Sequence, residues 1–487
     1  MDSLLLLCAR RVVAQHPLPT LPAHLYPVLF QAAFLDGRPL ALQDLVATWP
    51  FPELHFKRLV GHLERWSDDP FSDCINAVIH AMVVKLRREL EEPDHQSRCQ
   101  LLVLDMTGVP DDPDESCFCS STKALATACV ELSKHQQEFQ RHRPEQHNGC
   151  SGAATAALQP PGVDVLIDFH VDKNSYEILY DALQTRAAGP LRLKGREFHS
   201  QYMSASSIVT MLESLDPSCL RRVDLFCNFF GYPELLEILP HLSRFPELRS
   251  LKLQDIGMYA RNLTPESANG IQDVGRQLGM LSSLRELNLT GTLLPGNLSH
   301  ILCDLKDRLE SLELAFCSLL PADLTFLSQN FHAPALKRLD LSGHNIPQGL
   351  LEPLQLLLEE SSASLLHLEL TDCHLADSHL EALLPTFLRC SRLRFLGLYG
   401  NSLSTAVLKN LLQKTLELPD LHLVVYPIPK DCYRLELWGS VQGLIEDEDL
   451  VTVTTAEISQ LLANSGRTDL VWTDNPDSHE APDYFSL

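Results

Sequence analysis

Between Leu220 and Tyr426 one apolar frame recurs. Its cleanest copies are Leu309-x-x-Leu312-x-Leu314-x-x-Cys317-x-Leu319, Leu365-x-x-Leu368-x-Leu370-x-x-Cys373-x-Leu375 and Leu393-x-x-Leu396-x-Leu398-x-x-Asn401-x-Leu403. Earlier copies run through Leu220/Val223/Leu225/Asn228, Leu248/Leu251/Leu253/Met258, Leu284/Leu287/Leu289/Leu294 and Leu336/Leu339/Leu341/Ile346. A half copy follows at Leu418, Leu421 and Leu423. Starts at 220, 248, 284, 309, 336, 365, 393 and 418 give spacings of 25 to 36 residues. A unit of that size cannot bury its own apolar face, so successive units must stack on one another.

The frame is that of a leucine-rich repeat in its helix-containing form. Each L-x-x-L-x-L segment predicts a short strand with its leucines inward, and the Asn or Cys at the ninth position turns the chain by bonding backbone groups. Runs such as Leu350 to Leu358 supply the returning helix. The expected fold is therefore an α/β leucine-rich repeat solenoid, a horseshoe with parallel strands on its concave face and helices on its convex face. Residues 1–98 read as a helical N-terminal region, with 53–92 helical. Residues 99–219 read as degenerate repeats with a flexible polar loop at 133–162, with strands at Val163–Phe169 and Leu191–Leu193 and a helix at Ser175–Leu183. Residues 220–426 are the regular repeats. Residues 427–487 form a C-terminal cap and tail, in which Thr454-x-x-Glu457 has the spelling of a helix start and Gly466 that of a stop.

A net charge of −24 and a pI near 5.2 argue against nucleic acid or an anionic membrane as the partner and favour basic proteins. The 14 cysteines form no disulfide framework, which points to a reducing compartment, and the cytoplasm is the expected location. The apolar start, Leu4 to Leu7, is short and lacks a preceding positive region, unlike a secretory signal. No catalytic spelling occurs: no Walker loop, no Gly-x-Ser-x-Gly, no His-Glu-x-x-His. His135, His142, His147 and Cys150 invite a zinc reading, but their spacing fits no ligand pattern. No enzyme activity, cofactor or metal is expected. Binding is the default function of such a solenoid.

The N-terminal segment carries a more particular signal. Leu4, Cys8 and Val12 share one helical face, and Ser3-Leu4-x-x-x-Cys8-x-x-x-Val12 resembles the box by which substrate receptors of cullin ubiquitin ligases dock on elongin C. In such a box Leu4 fills the main apolar pocket and Cys8 packs as a small side chain. Leu21-Pro22-x-x-Leu25 resembles the cullin-2 box that follows it. A helix that merely caps the solenoid is the plain alternative. Leu25 to Phe34, with Leu45-Val46-Ala47-Thr48-Trp49-Pro50-Phe51-Pro52, is similar to the N-terminal region of the PRAME family of leucine-rich repeat proteins. That resemblance extends over nearly the whole chain. It implies a non-catalytic protein-binding role, as substrate receptor for elongin B/C and cullin-2. It equally implies a negative regulator of Toll-like-receptor and NF-κB signalling, which binds the IκB kinase β subunit and blocks kinase assembly. A scaffold with some other protein target is the third reading.

Period-2 alternation assigns Asp224, Lys252, Asn288, Glu313, Asp340, Glu369, Gly397 and His422 to the concave face. On strands ~4.8 Å apart, Glu313, Asp340 and Glu369 form a like-charge ladder in which each pair repels by about 1 kcal/mol near solvent. Arg338 and His367 lie two residues earlier on the same face and offset it. The ladder is expected to receive a basic segment, and Phe395 and Tyr399 to form an exposed aromatic landing beside it.

Overall fold

The computed structural model describes residues 3–61, 69–92, 99–109, 120–142, 162–185, 189–228, 230–254, 265–438 and 441–475. Met258 of the second repeat, His147 and Cys150 of the zinc reading, and the tail beyond 475 lie outside the described residues. The chain divides into two compact units, Met1–Asp224 and Leu225–Leu487. Each is a run of the expected strand–helix repeats, with a parallel sheet backed by helices.

The first unit opens with α1 (Leu4–Val13), α2 (Tyr26–Leu35) and α3 (Pro39–Ala47). The residues that carry the family resemblance pack together here. The Trp49 ring meets Tyr26 and Phe30 edge-on at 5.9 and 5.8 Å, and Phe30 meets Phe56 at 5.4 Å. Five parallel strands follow: β1 (Glu53–His55), β2 (Val103–Asp105), β3 (Val163–Val171), β4 (Leu191–Ser200) and β5 (Arg222–Asp224). Between them lie α4 (Phe56–Val60), α5 (Asp69–Glu91), α6 (Ser120–His142), α7 (Tyr176–Gln184) and α8 (Ala205–Ser214).

Two expectations are corrected here. Residues 53–55 are a strand and not part of a helix: Leu54 is buried and pairs with Leu104, so the array starts inside the region expected to be wholly helical. Ser133–His142 is the end of α6 and not loop, because Leu125, Cys129 and Leu132 recur at helical spacing and are buried. A bulge in β4 carries a further consequence. Ile167 pairs with Gly195 but Asp168 pairs with Glu197, so Arg196 is the extra residue. The slip turns Glu197 and His199 to the polar side while Phe198 enters the core. Gly195 is needed at this point, since a Cβ there would lie 2.3 Å from the Phe169 ring.

The second unit holds β6 (Ser250–Lys252), β7 (Glu286–Asn288), β8 (Ser311–Glu313), β9 (Arg338–Asp340), β10 (His367–Glu369), β11 (Phe395–Gly397) and β12 (Leu423–Val425), all parallel and paired in chain order. Leu251, Leu287, Leu312, Leu339, Leu368, Leu396 and Val424 occupy one register row in the core. Burying such a side chain stabilises by about 1.5–3 kcal/mol, and the row repeats it at every strand.

The ninth repeat position works as expected. The Cys317 thiol donates to the Leu289 carbonyl at 3.1 Å and Cys373 to Leu341 at 3.2 Å. Asn401 donates to the carbonyls of Leu370 and Leu398, both at 2.8 Å, and accepts from the N–H groups of Cys373 and Leu375. Any small side chain that can reach the preceding repeat's carbonyl serves, which is why both Asn and Cys occur there.

The last repeat is framed differently from the half copy at Leu418. Leu396 pairs with Val424, so Leu421, Val424 and Tyr426 are the inward set, and His422 precedes the strand instead of lying on its polar face. The cap also differs in detail. After the hairpin of β13 (Tyr433–Trp438) and β14 (Val441–Glu446), a helix spans Glu448–Ser465. Asp447 caps it by accepting from the Leu450 N–H at 3.3 Å, so Thr454 lies inside the helix; Gly466 ends it in the left-handed region, φ 72°. The chain then adds β15 (Val471–Thr473) beside β12, and the Arg467 guanidinium bonds the carbonyls of Leu416, Leu418 and Leu421.

Candidate functional site

Three surfaces contain the residues that the sequence singles out. The first is α1. Ser3 is its N-cap, accepting from the Leu6 N–H at 3.2 Å, and Arg10 pins it to the end of α2 by an ion pair with Asp36 at 3.1 Å. Ala9 and Val13 face inward. Leu4 is 78% exposed, Leu5 55% and Leu7 51%; Cys8 is exposed and Val12 half-buried. The helix is held by one side and leaves leucines bare on the other. Pro22 caps a short 3-10 turn, Ala23–Leu25, that runs into α2. Leu21 is half-buried and Tyr26, at the head of α2, is buried, while Pro22 is exposed. Leu25 is half-buried.

The second surface is the polar face of β1–β5, and it is dense with paired charge. His55 bridges Glu53 at 2.9 Å and Asp105 at 3.1 Å, and Arg196 approaches Asp105 at 3.5 Å. Asp164 accepts from Arg192 at 2.5 Å and Lys194 at 2.7 Å. His199 sits between Glu197 at 3.1 Å and Asp224 at 3.7 Å, and Arg222 donates to Glu197 at 3.1 Å. Burial works against the His199 charge, but the bonds and charges of Asp224 and Glu197 outweigh it and lift its pKa to about 9. Burial also opposes ionisation of Glu197, yet His199 and Arg222 hold it down at about 2. One carboxylate is less well served. Burial, reinforced by the Glu197 charge, raises Asp168 to about 6; its Oδ2 accepts from the Gly108 N–H at 2.6 Å, and its buried Oδ1 has no hydrogen-bond partner among the described residues. Asp224, assigned by the sequence to partner binding, is thus engaged by His199.

The third surface is the polar face of β6–β12. Its register puts Glu313 beside Asp340 and Asp340 beside Glu369, as the alternation requires. Glu313 accepts from the Asn288 amide at 2.6 Å and lies 3.5 Å from Arg338. Asp340 accepts from the Ser342 N–H at 2.9 Å, and Glu369 from the Thr371 hydroxyl at 2.5 Å. Burial raises the pKa of both Asp340 and Glu369 despite those bonds. The Glu369 carboxylate extends over Gly397, where a Cβ would meet it at 2.0 Å.

His367 and Phe395 correct the expectation. Their rings stack in parallel at 4.1 Å and 2°, and both are buried, so no exposed aromatic landing forms there; Tyr399 is half-buried. Burial, with the Arg338 charge, pushes His367 down to about 3. It is neutral at physiological pH, and its 3.5 Å approach to Glu369 is not an ion pair. Of the two expected cations, Arg338 is left to offset three carboxylates. The alternation names the right face for His367 and Phe395, but two large rings on neighbouring strands cover each other.

Among the described residues no group of three or more His, Cys, Asp or Glu is arranged to hold a metal, and no helix is long and apolar enough to cross a membrane. Of the histidines in the zinc reading, His135 bonds Glu91 at 3.0 Å.

Known proteins locate this arrangement. The PRAME N-terminal domain matches residues 6–113, and the PRAME C-terminal domain matches residues 163–479. The chain belongs to the PRAME family. It is similar to leucine-rich repeat-containing protein 14 of Xenopus laevis and of Homo sapiens, 39% identical to each over the full length of both chains. Among solved structures it is similar to one of the Rad7 and Elc1 complex in yeast, with 14% identity, 87% of each chain covered and a TM-score of 0.45. This PRAME-family chain is a leucine-rich repeat protein, as its stacked strand–helix units and its similarity to leucine-rich repeat-containing protein 14 show.

Proposed function

We propose that the chain is a substrate receptor for an elongin B/C–cullin-2 ubiquitin ligase. In this reading α1 and the following Leu21-Pro22-x-x-Leu25 turn dock on elongin C and cullin-2, and the acidic face of β8–β10 holds the protein to be modified. One observation carries the reading. A helix serving only as a cap turns its large apolar residues inward, whereas α1 buries Ala9 and Val13 and presents Leu4, Leu5, Leu7 and Cys8 outward. Exposed leucines on a pinned helix suit a partner's apolar groove.

Co-expression with elongin B, elongin C and cullin-2, followed by size exclusion, tests it. Wild type is expected to co-elute and Leu4→Ala/Cys8→Ser to elute alone. Both chains eluting alone sinks the ligase reading. The second reading, implied by the family resemblance and supported by the full-length similarity to leucine-rich repeat-containing protein 14, is steric restraint of NF-κB signalling through the IκB kinase β subunit. It needs only the repeats, so kinase binding would survive Leu4→Ala/Cys8→Ser.

A further inference from the structure

We propose that the second unit carries, on the edge where its strands begin, a cationic cleft that takes an acidic peptide segment of a partner protein. The cleft is a solvent-open depression of about 610 Å³, lined by Arg285, Lys306, Arg308 and Lys337 against two carboxylates, Asp307 and Glu310. Arg285, Glu310 and Lys337 immediately precede β7, β8 and β9, so the repeat itself sets them side by side. In a chain with a net charge of −24, four cations converging on one cleft run against the average surface.

The charges are not all spent internally. Asp307 holds Arg285 at 2.9 Å and Glu310 holds Lys337 at 2.6 Å, which fixes those two cations in place. Lys306 and Arg308 are exposed and have no ion-pair or hydrogen-bond partner among the described residues. Phe331, 40% exposed, supplies an apolar wall and rests on His332 at 4.1 Å. His332 adds no charge: burial lowers its pKa and its Nδ1 accepts from the Leu309 N–H at 3.2 Å.

This combination selects a peptide. In an extended segment alternate side chains share a face about 6.6 Å apart, so carboxylates can reach the unpaired cations while an apolar residue packs on Phe331. A nucleic acid brings evenly spaced phosphates that Asp307 and Glu310 repel, and the net charge repels any long polyanion before contact. The cleft has the opposite sign to the β8–β10 face and does not depend on ligase docking.

Fluorescence anisotropy with the full chain tests the proposal, using a dye-labelled dodecapeptide that alternates Glu and Ala around a central Phe. Saturable binding is expected, weakened about tenfold or more by Lys306→Glu/Arg308→Glu and by a Glu→Gln peptide, and declining with salt. The milder Arg308→Gln, checked by thermal melting to be folded, is expected to weaken it less. Glu352→Gln, exposed on the helix Gln348–Ser361 and outside the cleft, is expected to leave it unchanged. Absence of saturable binding, or equal affinity in the folded variants, overturns the proposal. So does tighter binding of a single-stranded oligonucleotide that the same variants abolish.

Discussion

The two units display polar sheet faces made by the same strand geometry, but they handle charge in opposite ways. On β3–β5 the charges alternate: Asp164 lies between Arg192 and Lys194, and His199 lies between Glu197 and Asp224. On β8–β10 Glu313, Asp340 and Glu369 stand in register with Arg338 as their nearby cation, while His367 is buried and neutral. Pairing lowers the Glu197 pKa, whereas burial raises those of Asp340 and Glu369. The first face is closed to outside charge because its own residues satisfy one another. The second holds a deficit of positive charge that a partner can fill.

The contrast can be broken most strongly at His199. His199→Ala leaves Glu197 and Asp224 without the cation between them and is expected to cost about 2–3 kcal/mol in urea unfolding near pH 6. The folded pKa is raised to about 9. The contribution is therefore fully present below the unfolded value and is lost as pH rises through 9, so the gap between variant and wild type should close by about pH 10. A gap independent of pH would mean that His199 only fills space.

Asp168 is the exception within the first face, and the opposite effect is expected there. Asp168→Asn keeps an oxygen for the Gly108 N–H and removes the buried charge, so it should stabilise by about 1–2 kcal/mol at pH 7. With a folded pKa near 6, wild type regains that stability as it binds a proton, and the advantage should disappear toward about pH 4. Loss of stability at pH 7 would contradict the account.

On the second face Asp340→Asn/Glu369→Gln should raise stability by about 1 kcal/mol near neutral pH, since it removes like charge from neighbouring strands. The smallest effect is expected at Gly397. Gly397→Ala forces the Glu369 carboxylate aside, a shift at the end of a flexible side chain, and should cost at most about 0.5–1 kcal/mol by thermal melting.

Much of this is legible in the residues, and the failures have physical causes. The strand rows from Val223 to Leu396 follow directly from the leucine frame, because one buried face and a period of two leave no freedom of register. The last repeat misleads because Leu418/Leu421/Leu423 and Leu421/Val424/Tyr426 are overlapping frames, and only pairing with Leu396 decides between them. β1 and β15 do not stand out because Phe51/Leu54/Phe56 and Asp469/Trp472/Asp474 occupy the frame positions where leucines recur in the other repeats. The Glu313–Asp340–Glu369 ladder is readable from alternation alone. The burial of His367 against Phe395 is not, since alternation gives a side chain's direction but not what a neighbouring strand lays over it. The charge network of β3–β5 escapes a sequence reading because it depends on the bulge at Arg196; the adjacent polar pair Arg196–Glu197 in an otherwise alternating strand is its trace.

The most direct test of the difference between the faces is the affinity of a dye-labelled, arginine-rich helical peptide for the full chain. Saturable, salt-sensitive binding is expected, abolished by Glu313→Lys/Asp340→Lys/Glu369→Lys in a protein that still melts cooperatively, and unchanged by Asp164→Asn on the first face. Equal affinity in wild type and the triple variant would contradict it, as would loss of binding through Asp164→Asn alone.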